Sequence, residues 1–177
     1  MRQDSVIEVL FAHFAASSES EFDLTQRSPC PRWAAGDTGR MVKITGEYQG
    51  DLHCAATHGP SGSALITDAP KDNQGRGEAF SPTDLTATSL GTCMATSMAI
   101  VGRKHGIELR GLKFEVTKEM SADAPRRIVR LATQLWLPIA KTPEAAKLLE
   151  HAAHNCPMHH SLHPSVDQPV VFHWAGE

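Results

Sequence analysis

The sequence predicts an α+β fold in which helices pack against antiparallel sheets, and three observations support this. A stretch between Asp84 and Arg103 has no charged side chain and is long enough for one buried helix. Segments with an apolar residue at every second position, typical of half-buried strands, lie on both sides of it. A second, amphipathic helix and a last strand follow. Groups of strands with helices set against them are typical of α+β domains.

The uncharged stretch has helix signals at both ends. Ser81 is a good N-cap, Pro82 suits the first helical position, and Asp84 completes a capping box. The basic residues 103–105 precede Gly106, as is common where a helix ends. The Thr, Ser and Gly content of the uncharged stretch argues against a lipid-facing span. We therefore expect the core helix of a soluble fold, and no membrane partner.

The remaining elements follow from turn chemistry and periodicity. Turn-forming residues at 58–62 predict a hairpin, and Thr142-Pro143-Glu144 predicts the start of the second helix. The predicted elements are strands within 41–57 and 63–67, the core helix, strands at 112–116 and 129–137, a helix from 142 to about 155, and a last strand at 169–174. A helix that is apolar or small on nearly every face needs more cover than one small sheet offers, which favours a homodimer.

The first forty residues differ from the rest of the chain. They combine a short apolar stretch at 6–14 with Ser-rich and Pro-rich segments that break regular structure. We therefore predict an N-terminal extension over 1–40, poorly ordered or docked on the surface, and a compact domain over 41–177. An alternative is that Met41 is the physiological start. No signal peptide is predicted, because acidic residues interrupt the N-terminal apolar run.

Composition excludes several functional classes. The net charge of −3 gives no sign of a nucleic-acid interface, which is usually strongly basic. The four cysteines are widely spread and form no CxxC pair, so neither a disulfide-rich secreted scaffold nor a zinc ribbon is expected. We expect a cytoplasmic protein that needs no cofactor.

Two cysteines are the first candidates for chemistry. Cys93 lies in the core helix, and Cys156 stands among five of the ten histidines, which lie between 151 and 163. A redox thiol needs a lowered pKa, but Cys93 lies roughly 16 Å from the helix start, too far for the helix dipole, so a cation from another element is expected. A zinc site of Cys156 with nearby histidines is a weaker alternative, and surface histidines with a structural Cys93 are the simplest one.

The motifs resemble one known family. The segment from Phe80-Ser81-Pro82-Thr83-Asp84-Leu85 to Leu90-Gly91-Thr92-Cys93, followed by His154-Asn155-Cys156-Pro157, is similar to the OsmC/Ohr proteins, which are osmotically inducible or confer organic hydroperoxide resistance. The resemblance implies the OsmC-like fold with a long central helix and an intertwined homodimer. It also implies a peroxidatic Cys93, a resolving Cys156 and thiol-dependent reduction of hydroperoxides.

The supporting residues follow a divergent pattern. The best-studied hydroperoxide reductases of the family have a Pro-Glu pair at the start of the core helix and an arginine from the early hairpin, and the two form a salt bridge. Aligned on Cys93, the glutamate falls on Thr83, and Asp84 is turned by about 100° round the helix. The hairpin has no arginine, so His58 and Arg76 are the candidate cations.

Two functions from different classes follow from the resemblance. The first is a peroxidase that reduces an organic hydroperoxide and is regenerated by a small thiol or dithiol. The second is a small-molecule binding protein that keeps the fold with little or no turnover. A metal-binding module is a third, and our prediction is no metal. Cys30 and Cys54 are expected to be structural or incidental, with Cys54 near the pocket.

Overall fold

The computed structural model describes residues 41–176, and these form two three-stranded sheets, one long helix and two shorter ones. The predicted extension over 1–40, with Cys30, lies outside the described residues. The elements are β1 (Ile44–Gly50), β2 (His53–His58), β3 (Ala64–Asp68), a 3₁₀ turn (Lys71–Asn73), α1 (Pro82–Lys104), β4 (Lys113–Met120), β5 (Ile128–Leu137), α2 (Pro143–His154), α3 (Pro157–Ser161) and β6 (Val170–Trp174). The α+β class is confirmed.

Helix α1 has the predicted bounds and caps. The Ser81 hydroxyl accepts from the Asp84 N–H at 3.2 Å, and the Asp84 carboxylate accepts from the Ser81 N–H at 2.8 Å, which completes the capping box. The helix ends before Gly106, whose φ of 71° is in the left-handed region that favours glycine. The helix is long and apolar enough to cross a membrane, a test that core helices of soluble proteins also pass.

The first sheet is the predicted antiparallel hairpin with one more strand, in the order β1-β2-β3. Its strand register places Ile44, Tyr48 and Leu65 on one face, and these side chains are 66%, 62% and 41% exposed. Asp68 is the buried residue of this sheet. The sheet therefore presents an apolar face that the described residues do not cover.

The second sheet has the order β4-β5-β6 and differs from the expectation in one respect. Strands β4 and β5 are antiparallel, as predicted, but β6 runs parallel to β5. The connection from β5 to β6 passes through α2 and α3, and a crossover of that length returns the chain in the parallel direction. The sheet is therefore mixed rather than purely antiparallel.

The core lies between the second sheet, α1 and α2. One face of α1 is buried there, and its buried residues are Ala87, Leu90, Gly91, Met94, Met98 and Gly102. They pack with fully buried leucines of β5 and α2, including Leu131, Leu135 and Leu149. The opposite face of α1 is exposed at Thr92 and Thr96. Within one chain the helix is thus covered on one side, whereas the sequence predicted burial on nearly every face.

A glycine allows α1 to approach β4 closely. A Cβ atom at Gly91 would lie 2.4 Å from the Phe114 ring and 3.0 Å from a Val116 methyl carbon. Any larger residue must displace the strand or its side chains. Gly91 therefore fixes the distance between the helix and the sheet.

The variant Gly91→Ala is expected to lower the free energy of unfolding by about 1–2 kcal/mol. Overpacking costs about 1–3 kcal/mol, and the better helix propensity of alanine returns up to about 1 kcal/mol. Urea unfolding at a fixed protein concentration measures the change. An exposed position on the helix over Pro143–His154 supplies the control, since Lys147→Ala should change the stability by less than about 0.5 kcal/mol. Equal stability of Gly91→Ala and the parent would contradict the close packing.

Candidate functional site

The fold brings the two predicted thiols together. Cys93 projects from the middle of α1, and Cys156 precedes α3. The backbone N–H groups of two consecutive residues, Met158 and His159, donate to the sulfurs of Cys93 and Cys156, respectively, so the two thiols are neighbours in the fold. Cys156 is fully buried, whereas Cys93 is partly exposed.

The local sequence explains the position of Cys156. Helix α2 ends at His154 with Asn155 as its C-cap, and α3 starts at Pro157, because proline suits the first helical position. Cys156 stands between the two helices in an extended conformation and acts as the N-cap of α3. Its sulfur accepts a hydrogen bond from the backbone N–H of His159 at 3.4 Å.

Cys93 receives a backbone hydrogen bond from the same segment. The Met158 N–H donates to the Cys93 sulfur at 3.5 Å. The donor at this sulfur is therefore a main-chain amide rather than the side-chain cation that the sequence led us to expect.

The environment of Cys156 keeps that thiol protonated. Burial raises the pKa of the Cys156 thiol, and the adjacent Cys93 side chain raises it further. The backbone hydrogen bond from His159 opposes this rise in pKa but does not outweigh it. Cys156 is therefore poorly suited to attack a substrate as a thiolate.

Three histidines form a cluster beside Cys156. The ring centroid of His159 lies 5.7 Å from that of His154 and 5.8 Å from that of His160, both edge-to-face. Burial lowers the pKa of His159, and the charges of His154 and His160 lower it further. In the part of the chain that the structure describes, no three His, Cys, Asp or Glu side chains are arranged to hold a metal ion. The zinc alternative gains no support from this geometry.

Thr83 and Asp84 meet a lysine that the sequence analysis missed. The Lys118 ammonium on β4 lies 2.6 Å from the Asp84 carboxylate and 2.8 Å from the Thr83 hydroxyl. Burial acts to raise the pKa of Asp84, but the hydrogen bonds from Lys118 and Ser81 hold that pKa below its usual value. A signal was present in the sequence: Lys118 falls in the same strand phase as Val116, which faces the core.

This ion pair does not act on the thiol of its own chain. Asp84 and Cys93 are nine positions apart in one helix, which separates them by roughly 13 Å along the axis and by about 180° round it. The pair joins the start of α1 to β4. Its role within one chain is therefore to anchor the helix.

The other two candidate cations also lie apart from the thiols. His58 pairs with the Ser61 hydroxyl at 2.6 Å, inside the β2–β3 turn. Arg76 forms an exposed ion pair with Asp51 at 2.8 Å. Within residues 41–176 no hydrogen bond joins either side chain to Cys93 or Cys156.

Two cavities lie near the start of α1. One of about 390 Å³ is lined by Thr83 and Cys54, together with Tyr48 and Met120. The other, of about 660 Å³, is lined by the Asp84–Lys118 pair and by the rings of Phe80 and Phe114. Both volumes suit small molecules. Neither cavity is lined by Cys93 or Cys156, so the predicted pocket residues and the thiol pair are separate within one chain.

Comparisons with known proteins identify a family and solved structures that are similar to this chain. Residues 75–168 match the family described as OsmC-like protein. A Psychrobacter arcticus 273-4 structure, described as an osmotic stress induced and detoxification response protein, is 45% identical, with a TM-score of 0.69 over 75% of this chain and 94% of that one. No curated protein matches the chain.

More distant structures share the fold. A Legionella pneumophila organic hydroperoxide resistance protein is 17% identical, with a TM-score of 0.63 over 75% of this chain and 96% of that chain. A Vibrio cholerae protein described as an organic hydroperoxide resistance protein, with captopril bound in one of its active sites, is 18% identical, with a TM-score of 0.60 over 81% of this chain and 96% of that chain.

The variant Lys118→Met is expected to lower the free energy of unfolding at pH 7 by about 1–2 kcal/mol, because it leaves the Asp84 carboxylate without its charged donor. A carboxylate with a lowered folded pKa stabilises the fold above its unfolded pKa and loses that contribution as the pH falls through the folded value. The difference between variant and parent should therefore shrink towards pH 3. Urea unfolding at both pH values measures it, and a constant difference would contradict the ion-pair role.

Proposed function

The chain belongs to the OsmC-like protein family, and on that basis we propose that it is a thiol-dependent peroxidase that reduces organic hydroperoxides. The observation that carries the proposal is the proximity of Cys93 and Cys156, two thiols distant in sequence whose sulfurs accept hydrogen bonds from consecutive backbone amides of one short helix. Several structures of the same fold are named organic hydroperoxide resistance proteins. The family therefore supports a redox role, and the thiol pair supports this specific form of it.

The proposed reaction uses the two thiols in sequence. The Cys93 thiolate attacks one oxygen of the hydroperoxide, the O–O bond breaks, and an alcohol leaves after taking up a proton. Cys93 is then a sulfenic acid. The Cys156 thiol attacks its sulfur, water leaves, and a Cys93–Cys156 disulfide forms. Two thiol groups of a small thiol or dithiol reduce this disulfide and are themselves oxidised to a disulfide.

The contacts of the two sulfurs fit these different roles. The Met158 amide donates to the sulfur of Cys93, which is the partly exposed cysteine of the pair. Cys156 is buried and its pKa is raised, so Cys93 is the better placed of the two to meet the substrate first. No metal or organic cofactor takes part in the proposed steps.

We also propose that the protein is a homodimer. The apolar face of the first sheet, formed by Ile44, Tyr48 and Leu65, is exposed in one chain, as is the outer face of α1 at Thr92 and Thr96. An exposed apolar face on a folded domain is typical of a protein–protein interface. A second copy that covers both surfaces would enclose the central helices.

A binding protein with little turnover is the second candidate. It is favoured by the position of Thr83, which lines the 390 Å³ cavity where the family pattern has a glutamate. In that case a hydroperoxide would leave both thiols reduced. The same experiment therefore decides between the two functions.

One equivalent of cumene hydroperoxide is expected to convert Cys93 and Cys156 of the reduced protein into a disulfide. Peptide mapping by mass spectrometry identifies the bond. The variant Cys93→Ser should lose at least about 99% of peroxide turnover, since the attacking thiolate is absent. The variant Cys156→Ser should accumulate a Cys93 sulfenic acid, which dimedone labels.

The matched control is Cys30→Ser, which makes the same exchange at a cysteine expected to be structural or incidental. It should retain turnover within about twofold. Full turnover in Cys93→Ser would exclude the proposed mechanism. Unchanged thiols in the parent protein would favour the binding function.

The variant Ile44→Asp is expected to raise the dissociation constant of the dimer at least about tenfold, because it puts a charge into an apolar interface. Sedimentation equilibrium over a range of concentrations measures the constant. Thr45→Asp introduces the same charge on the opposite face of the same strand and should have little effect. Equal effects of the two variants would argue against this face as the interface.

A further inference from the structure

We propose that His159 is a positioning residue of the thiol pair and that it holds α3 in place only while its imidazole ring is neutral. The chemical consequence of this inference rests on the proposed function, whereas its structural part concerns only α3. Acidification would then loosen α3 and withdraw the backbone contacts of both sulfurs.

The backbone of His159 is tied to the site on both sides. Its N–H donates to the Cys156 sulfur at 3.4 Å, and its carbonyl oxygen accepts from the Gln168 side-chain amide at 3.4 Å. The preceding residue, Met158, donates its N–H to Cys93. A displacement of His159 therefore alters both sulfur contacts together.

The ring of His159 lies between two other imidazole rings. His154 from α2 and His160 from α3 flank it, and His154 also packs against Phe172 of β6 at 5.9 Å. The Nδ1 atom of His159 is buried and has no hydrogen-bond partner in the described structure. A proton on this atom would have no acceptor, which is costly for a buried group.

The described part of the chain shows no ion pair that could compensate a proton there. Four titratable side chains of the described residues face this end of α3. They are His154 of α2, His160 of α3, Cys156 at the N-cap of α3, and Cys93 of α1. Strand β6 contributes the uncharged Phe172. In residues 41–176 no carboxylate forms an ion pair with any histidine of the cluster.

Positive charges on its neighbours disfavour a proton on His159, and His154 and His160 lie beside its ring. Burial lowers the pKa of His159, and these two charges lower it further. A histidine whose folded pKa lies below its unfolded value stabilises the fold at higher pH and loses that contribution as the pH falls through the unfolded value. The support of α3 should therefore weaken just below neutrality.

Amide hydrogen exchange tests the structural part on the reduced full-length protein at pH 7.5 and 5.5, after correction for the intrinsic exchange rate. In the parent, protection of the 158–161 amides should fall about threefold or more at the lower pH. In His159→Asn protection should not depend on pH, whatever its absolute level. His163→Asn removes a histidine that is bonded to Ser165 outside the cluster, and it should behave as the parent does.

Two outcomes overturn the inference. One is a parent protein whose α3 protection is unchanged by pH, and the other is His159→Asn with the pH dependence of the parent. If His159→Asn does not fold, His154→Gln carries the test. It removes one of the two flanking charges, so the fall in protection should be smaller than in the parent, and an equal fall counts against the proposal.

The chemical consequence is measured separately. The rate of Cys93–Cys156 disulfide formation with cumene hydroperoxide should fall more steeply between pH 7.5 and 5.5 in the parent than in His159→Asn, because only the parent adds the loosening of α3 to thiol protonation. Equal slopes would overturn this part. The absence of a disulfide at any pH would contradict the proposed function, and hydrogen exchange would still decide the role of His159.

Discussion

The position of α1 against the second sheet determines where the chemistry takes place. The helix carries no charge between its ends, so its burial needs no compensating partners, and Gly91 lets it approach β4 closely. The capping box and the ion pair with Lys118 fix its start. Because the distance of α1 from β4 and its position along its own axis are both fixed, Cys93 lies at the edge of the buried face of the helix, next to Cys156. A small sideways shift of the helix would separate the two sulfurs.

Local signals made most of the fold predictable. The bounds of α1, the β2–β3 hairpin and the start of α2 depend on caps, turns and periodicity within a few residues, and all three are confirmed. The prediction of purely antiparallel sheets was wrong at β6, because the direction of this strand depends on the path of the whole segment after β5. The short helix α3 was missed, since its cap is a cysteine, which is not among the usual capping residues.

The candidate site could also be predicted only in part from the sequence. Cys93 and Cys156 could be selected from their sequence context, because motifs carry the identity of reactive residues. Their surroundings could not. The Met158 amide has no signature in the side-chain sequence, and Lys118 pairs with a residue far away along the chain. The expected donor to Cys93 was a side-chain cation, whereas the donor in the structure is a backbone N–H.

The exposed apolar face of the first sheet has a consequence for how the protein folds. Three strands without a core of their own contribute little free energy of folding, because their apolar side chains stay in water. If a second copy covers them, this half of the domain becomes ordered only as the subunits meet. Thermal stability is then a function of protein concentration, and dilution alone would lower the melting temperature of an unmodified chain.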